Sequence, residues 1–176
     1  MDGTPWRVVP DSVVVRCGLA AGTELDRPLL RLIRAELRRA EALGVAGRTL
    51  RIRAVSRRRL DDRLARAGTD GELRGELLET LERAGLLDDE RLARARAESL
   101  AERGWGNEAI VARLGSEGLD EDVARAAAAE LAPEGDRAGR LAGTETDPRR
   151  IASLLSRRGF GEDVVEAALA RLDADG

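Results

Sequence analysis

The residues of this sequence that could carry out chemistry are few in type. All 30 basic residues are arginines, and the chain contains no lysine, histidine or tyrosine. The chain therefore lacks the histidine and lysine side chains that most often perform general acid–base catalysis, Schiff-base formation and zinc binding. Cys17 is the single cysteine, which excludes an intrachain disulfide, and we interpret it as a small buried apolar side chain. These residue types predict a protein that is not an enzyme and holds no metal and no cofactor.

The adjacent carboxylates Asp88 and Asp89 could form an acid–base pair or part of a metal site. Neighbouring residues at the start of a helix point to different sides, however, and the sequence offers no evident third ligand. We therefore interpret them as helix-capping residues. Gly68, Gly118 and Gly159 lie too far apart in the chain to form one phosphate-binding loop, and we expect each of them to end a helix.

Charge is distributed unevenly along the 176 residues, which are 36% charged and carry a net charge of −3. Residues 1–67 hold 15 arginines against 8 acidic residues, a net of +7, whereas residues 68–176 hold 15 against 25, a net of −10. The basic segment 48–59 could meet nucleic-acid phosphates or an acidic protein surface. It could equally be a solvated helix junction whose arginines pair with nearby carboxylates. The acidic remainder of the chain favours a protein partner.

The sequence also bears on location. No apolar run approaches the ~18 residues of a membrane span. The first residues lack the basic-then-apolar order of a signal peptide. With a lone cysteine, this predicts a cytoplasmic protein.

Residues 1–45 are predicted to form an N-terminal extension of two short β segments and one helix. Residues 6–9 and 13–15 are rich in valine and flank a Pro-Asp pair, which is typical of a hairpin. A helix should then begin after Asp26, with Pro28 in its first turn, and end at Gly44. Residues 48–55 alternate like a strand, but no neighbouring strand is available, so we favour helix.

An internal repeat is the strongest signal in the sequence. Each unit places two apolar residues four apart, a glycine one turn later, and then a polar cap that starts a second helix with its own apolar pair four apart. Asp70 and Asp120 are such caps, and Asp147, followed by Pro148, should open the last unit. The three sets are Leu60, Leu64, Gly68, Leu73 and Leu77; Ile110, Leu114, Gly118, Val123 and Ala127; and Ile151, Leu155, Gly159, Val164 and Ala168.

This spacing predicts a mainly α protein built from tandem three-helix repeats. The repeats should span residues 46–104, 105–145 and 146–176, the last of them truncated. Because one unit cannot bury its apolar face alone, the units should stack into an elongated, curved helical array. Packed repeats without an exposed heptad favour a monomer.

Three segments, in order, resemble the RecX family of regulatory proteins. Residues 56–64 (SRRRLDDRL) are similar to the start of the family's first helix, and residues 85–93 (GLLDDERLA) are similar to its most recognisable segment. Residues 157–160 (RRGF), followed by Val164, Val165 and Leu169, are similar to its C-terminal pattern. Leu92 stands where the family has phenylalanine, which keeps the position apolar, and arginine or other residues replace the usual lysines.

The resemblance implies a non-enzymatic regulator of the bacterial RecA recombinase, and thus of recombinational DNA repair and the SOS response. Such a protein would lie in the groove of the RecA–single-stranded DNA filament and limit its ATP hydrolysis, extension and strand exchange. Direct DNA contact would be weak, and no membrane is involved. The alternative is a helical-repeat DNA-binding protein that acts independently of RecA. The candidate partner-binding residues are Arg53, Arg57, Arg58, Arg59, Arg91 and Arg94.

Overall fold

The computed structural model describes residues 8–175, with side chains to residue 171, and this part of the chain is helical without any strand. The predicted mainly α fold class is therefore confirmed. Ten helices follow one another in the described residues: α1 Asp11–Arg16, α2 Arg27–Ile52, α3 Arg57–Arg66, α4 Gly71–Arg83, α5 Asp89–Glu102, α6 Asn107–Ser116, α7 Glu121–Ala129, α8 Glu134–Ala142, α9 Pro148–Arg157 and α10 Glu162–Asp175. None of these helices is long and apolar enough to span a bilayer.

The described residues form two compact units. Unit 1 contains residues 8–54 and 60–86, and unit 2 contains residues 55–59 and 87–175. The first turn of α3 therefore belongs to unit 2, and the rest of that helix belongs to unit 1. The boundaries of the three predicted modules, and their stacking into a curved array, stay predictions.

The predicted N-terminal hairpin is wrong where the structure describes it. Residues 13–15 lie in α1, and Val8 and Val9 are in no strand, while the start of the first predicted segment falls outside the described residues. The Pro-Asp pair begins a helix instead of turning a hairpin, since Pro10 is the residue before α1 and Asp11 lies in its first turn.

Packing against α2 explains why a valine-rich segment is helical here. Val13 is 1% exposed and lies in one apolar cluster with Ile33 and Leu37 of α2, against which the half-buried Cys17 also packs. Three β-branched residues carry only a weak preference for strand, and burial of one of them against a neighbouring helix overrides it.

Helix α2 begins where the sequence predicts and ends later. The Oδ1 of Asp26 accepts a hydrogen bond from the Leu29 N–H at 2.8 Å, which confirms the cap. The prediction that Gly44 ends the helix is wrong, because α2 continues to Ile52 and thereby also confirms helix over most of residues 48–55. A glycine inside a helix costs about 1 kcal/mol, and burial of the residues beyond Gly44 offsets it. The buried residues of α2 beyond Gly44 are Ala46 and Thr49.

The three predicted glycine turns are confirmed. Gly68, Gly118 and Gly159 follow α3, α6 and α9, and their φ angles are +82°, +84° and +74°. These angles lie in the left-handed region that glycine adopts without strain. Three of the predicted caps are confirmed by side-chain hydrogen bonds to the first turns of α4, α5 and α9, and these are Asp70, Asp88 and Asp147. Asp120 precedes α7 without such a bond.

Two apolar clusters form the core of unit 2. The first joins α5, α6 and α7 around Ala93, Ile110 and Leu114. The second joins α8, α9 and α10 around Ile151 and Phe160. Alanines supply much of both clusters, which allows these short helices to pack closely.

Backbone meets backbone where the α5–α6 turn touches the α9–α10 turn of unit 2. The Gly106 N–H donates to the Arg158 carbonyl at 2.8 Å. A Cβ atom at Gly106 would lie only 2.2 Å from the Gly159 carbonyl oxygen, and one at Gly159 would lie 2.5 Å from the Ala109 Cβ. Both glycines are therefore required by the close approach of the two turns.

Candidate partner-binding surface

The arginines predicted to contact a partner are all exposed and lie at three places in the chain. One follows α2 in unit 1, and the others belong to unit 2. They are Arg53 after α2, Arg57, Arg58 and Arg59 in the first turn of α3, and Arg91 and Arg94 on α5.

The first turn of α3 is anchored to unit 2 by a buried serine. Ser56 is fully buried, and its Oγ donates a hydrogen bond to the Glu117 carbonyl at 2.7 Å and accepts one from the Arg59 N–H at 3.3 Å. Gly118 makes this approach possible, because a Cβ there would lie 2.8 Å from the Ser56 Oγ. The serine thus caps α3 and holds its first turn against the α6–α7 turn of unit 2.

Two further hydrogen bonds fix the same turn. The Arg57 N–H donates to the Oδ1 of Asp89 at 2.9 Å, and the Nη2 of Arg59 donates to the Ser116 carbonyl at 2.9 Å. The Arg59 guanidinium is therefore already engaged in holding the turn, whereas Arg58 lines a groove of unit 2.

Replacement of Ser56 by alanine should lower the free energy of unfolding by about 1–2 kcal/mol, because the part-buried Glu117 carbonyl loses its donor and α3 loses its cap. Urea denaturation followed by circular dichroism measures this. Ser116→Ala is the matched control, since the exposed Ser116 hydroxyl bonds only to the Arg113 carbonyl of its own helix. Equal midpoints for the two variants would show that Ser56 does not anchor the turn.

Arg58 lines a groove of unit 2 with a volume of about 840 Å³. In the described part of the chain Arg58 makes no ion pair. The floor between α6 and α7 is apolar and built from small side chains such as Val111 and Ala112. The charged side chains of the lining are Arg58, Glu108, Glu121, Arg125 and Asp120. An apolar floor within charges of both signs suits a protein surface.

The arginines of α5 differ from Arg58, because each is paired within the chain. Arg91 lies 3.6 Å from the carboxylate of Asp88, and Arg94 lies 3.1 Å from Glu90 and 3.5 Å from Glu130. A partner carboxylate would have to displace these pairs. Exposed ion pairs of this kind contribute about 0–1 kcal/mol each, so their loss would cost little of the binding free energy.

Trp105 packs against the α5–α7 cluster. Its ring is covered by two guanidinium groups, with the Cζ of Arg113 at 3.9 Å and the Cζ of Arg158 at 5.0 Å from the centroid. Arg158 also donates from Nη1 to the Arg103 carbonyl at 2.8 Å. Arg158 is therefore engaged inside unit 2.

Arg137 is the buried charged residue that the sequence did not reveal. It is 7% exposed on α8 and donates from Nε to the Ala132 carbonyl at 3.1 Å, from Nη1 to the Trp105 carbonyl at 2.8 Å, and from Nη2 to the Asn107 Oδ1. Burial lowers the pKa of this guanidinium. In the half-buried Glu145, hydrogen bonds from the N–H groups of the two following residues stabilise the carboxylate and lower its pKa.

The described residues contain no group of three or more His, Cys, Asp or Glu that could hold a metal ion. The capping interpretation of Asp88 is confirmed, because its Oδ1 accepts the Arg91 N–H at 2.8 Å. Asp89 accepts the backbone N–H of Arg57. Both carboxylates are therefore occupied by backbone donors.

The described residues define an all-α protein of helices joined by glycine turns, with exposed arginines beside a mixed-charge groove. No protein-family model matches the chain. Curated proteins named Regulatory protein RecX do match: that of Mycolicibacterium smegmatis is 32% identical over 154 residues, covering 76% of this chain and 82% of the relative. That of Chromohalobacter salexigens is 36% identical over 132 residues, covering 70% and 87%. The chain belongs to the RecX family of regulatory proteins.

Solved structures agree on the fold. The crystal structure of RecX from Lactobacillus salivarius superposes with a TM-score of 0.72 at 18% identity, covering 78% of this chain and 97% of that chain. A second crystal structure of regulatory protein RecX superposes with a TM-score of 0.76 at 23% identity, covering 96% and 91%.

Proposed function

We propose that this protein is a non-enzymatic regulator of the RecA recombinase that binds the RecA–single-stranded DNA filament in the cytoplasm. Binding would limit the filament's ATP hydrolysis, extension and strand exchange, and so regulate DNA repair. The observation that carries the proposal is the membership of the RecX family, supported by 32% identity over 76% of the chain.

The contact surface we propose contains Arg53, Arg57, Arg58, Arg59, Arg91 and Arg94. Arg58 should contribute most, because it is exposed, makes no ion pair in the described chain, and borders the apolar-floored groove. A guanidinium in that position is available to a carboxylate of the partner at no cost in broken intrachain bonds. Arg59 should contribute less, since its guanidinium holds the Ser116 carbonyl.

Arg58→Glu should raise the concentration that half-inhibits ATP hydrolysis by preassembled RecA–single-stranded DNA filaments by about tenfold, on the order of 1.4 kcal/mol of binding free energy. Arg149→Glu is the matched control: Arg149 is likewise exposed, unpaired in the described chain, and the second residue of its helix. We expect the control to inhibit like the unmodified protein.

Reversal of Arg57, Arg58 and Arg59 together should weaken inhibition further. Because Arg59 also holds the α6–α7 turn, the melting temperature of this variant must be measured beside its activity. Undiminished inhibition by a folded triple variant would remove the α3 arginines from the contact surface. Absence of any effect of the protein on ATP hydrolysis, together with tight, salt-dependent binding to bare DNA, would favour the DNA-binding alternative.

A further inference from the structure

Unit 1 contains a basic groove that the proposed contact with RecA does not use. It lies between the C-terminal half of α2 and the end of α3, and its volume is about 710 Å³. This size is within the ~300–1,000 Å³ of clefts that bind ligands. Its charged side chains are Arg48, Arg63 and Arg66, and its apolar side chains are Val45, Ile52 and Ala67.

The basic groove is charged with one sign only, because no carboxylate lines it. In the described part of the chain none of Arg48, Arg63 and Arg66 makes an ion pair. Some other arginines of unit 1 are paired with carboxylates: Arg74 lies 2.8 Å from Asp61, and Arg39 lies 3.2 Å from Glu76. The groove therefore concentrates positive charge that the fold does not itself compensate, which favours an anionic ligand.

Gly44 places one of these guanidinium groups. A Cβ atom at this position would lie 3.2 Å from the Nη1 of Arg48, one turn further along α2. The missing side chain leaves room for the Arg48 guanidinium to lie against the helix. This accounts for a residue that weakens the helix interior without ending it.

The apolar side of the groove favours an acidic peptide over single-stranded nucleic acid as the anionic ligand. Ile52 is 79% exposed at the end of α2, beside the arginines. None of the lining residues is aromatic, so the groove lacks the stacking surface on which proteins hold the bases of single-stranded nucleic acid. An exposed isoleucine next to guanidinium groups is complementary to a peptide that carries both carboxylates and an apolar side chain.

We propose that the basic groove of unit 1 binds an acidic peptide segment of a partner protein, whose carboxylates pair with Arg48, Arg63 and Arg66 and whose apolar side chain covers Ile52. The site shares no residue with the surface proposed for RecA, so it goes beyond that function and does not depend on it.

The test is the binding of a short dye-labelled peptide that alternates glutamate and leucine, measured by fluorescence anisotropy on the full chain. We expect Arg63→Gln with Arg66→Gln to weaken binding about tenfold, and Ile52→Ser to weaken it about threefold. The control is Arg31→Gln with Arg34→Gln. These two arginines are exposed on α2 and do not line the groove, and their replacement makes the same change in net charge. This control should bind the peptide like the unmodified protein.

A second variant separates binding from folding. Gly44→Ala should raise the helix stability, while the flexible Arg48 guanidinium needs to shift by only a few tenths of an ångström, so the melting temperature should rise with little change in peptide affinity. Equal loss of affinity in the Arg31/Arg34 control, or no loss in the Arg63/Arg66 variant, would overturn the proposal. Displacement of the peptide by oligothymidine, with affinities that respond to Arg63 and Arg66 but not to Ile52, would assign the groove to nucleic acid instead.

Discussion

Replacement of Gly106 by alanine should lower Tm by about 10 °C. The added Cβ would lie 2.2 Å from the Gly159 carbonyl oxygen and 2.4 Å from the Phe160 nitrogen, and neither backbone atom can swing aside like the end of a side chain. Separation of the two turns would also break the hydrogen bond from the Gly106 N–H to the Arg158 carbonyl. A loss of about 3–4 kcal/mol follows, and each kcal/mol shifts Tm by about 2–4 °C in a chain of this size.

Gly139→Ala is the control for this expectation, and differential scanning calorimetry measures both variants. Gly139 lies inside α8, and nothing is within 4 Å of the position that its Cβ would take. Alanine should therefore stabilise the protein by about 0.5–1 kcal/mol, through higher helix propensity and a less disordered unfolded chain. If both variants melted together, the close approach of the two turns would not be present in solution.

Replacement of Arg137 by methionine should reduce the free energy of unfolding by about 3 kcal/mol. Methionine keeps much of the apolar stem but leaves two carbonyls, of Trp105 and Ala132, and the Asn107 amide oxygen without their donor. Each buried acceptor that loses its partner costs about 1–3 kcal/mol, less where water reaches it. Urea denaturation at constant ionic strength measures the change.

Two further variants test whether the effect at Arg137 comes from its guanidinium hydrogen bonds. Arg137→Lys should recover little, because one ammonium group cannot reach three acceptors that a planar guanidinium serves together. Arg140→Met makes the same substitution at an exposed position of α8 and should change the free energy of unfolding by less than about 0.5 kcal/mol. An Arg137→Met variant as stable as Arg140→Met would refute the role assigned to the buried guanidinium.

The parts of the fold that local chemistry determines could be predicted from the sequence. Asp26 and Asp88 cap their helices through N–H groups only three residues away, and Gly68 and Gly159 end theirs through their own φ angles. Such features depend on a few neighbouring residues, so their spacing in the sequence is sufficient.

The parts that depend on tertiary packing could not be predicted. Gly44 resembles a helix end, but Ala46 and Thr49 beyond it are buried, which offsets the cost of a glycine inside α2. Val13 lies in a helix because Ile33, far along the chain, covers it. No periodicity of hydrophobic residues reports such contacts between distant segments.

In the candidate surface, too, the local features could be predicted from the sequence and the tertiary contacts could not. The arginines of the α3 turn could be identified as a basic cluster, but which of them is available depends on the Ser116 carbonyl that holds Arg59. The buried position of Arg137 has no sequence signal, because its acceptors are mainly backbone atoms that every residue possesses.

The backbone contact between the α5–α6 and α9–α10 turns has a consequence for synthesis on the ribosome. The Gly106 N–H donates to the Arg158 carbonyl, and the Arg158 side chain donates to the Arg103 carbonyl, which lies 55 residues earlier in the chain. At translation rates of about 5–20 residues per second, the nascent chain therefore waits about 3–10 s between making the first turn and making its partner. During that interval the α5–α6 turn is hydrated and the Trp105 ring lacks one of its two covering guanidinium groups. We expect the α5–α6 turn to gain protection from a protease added during translation later than the α5–α7 cluster beside it.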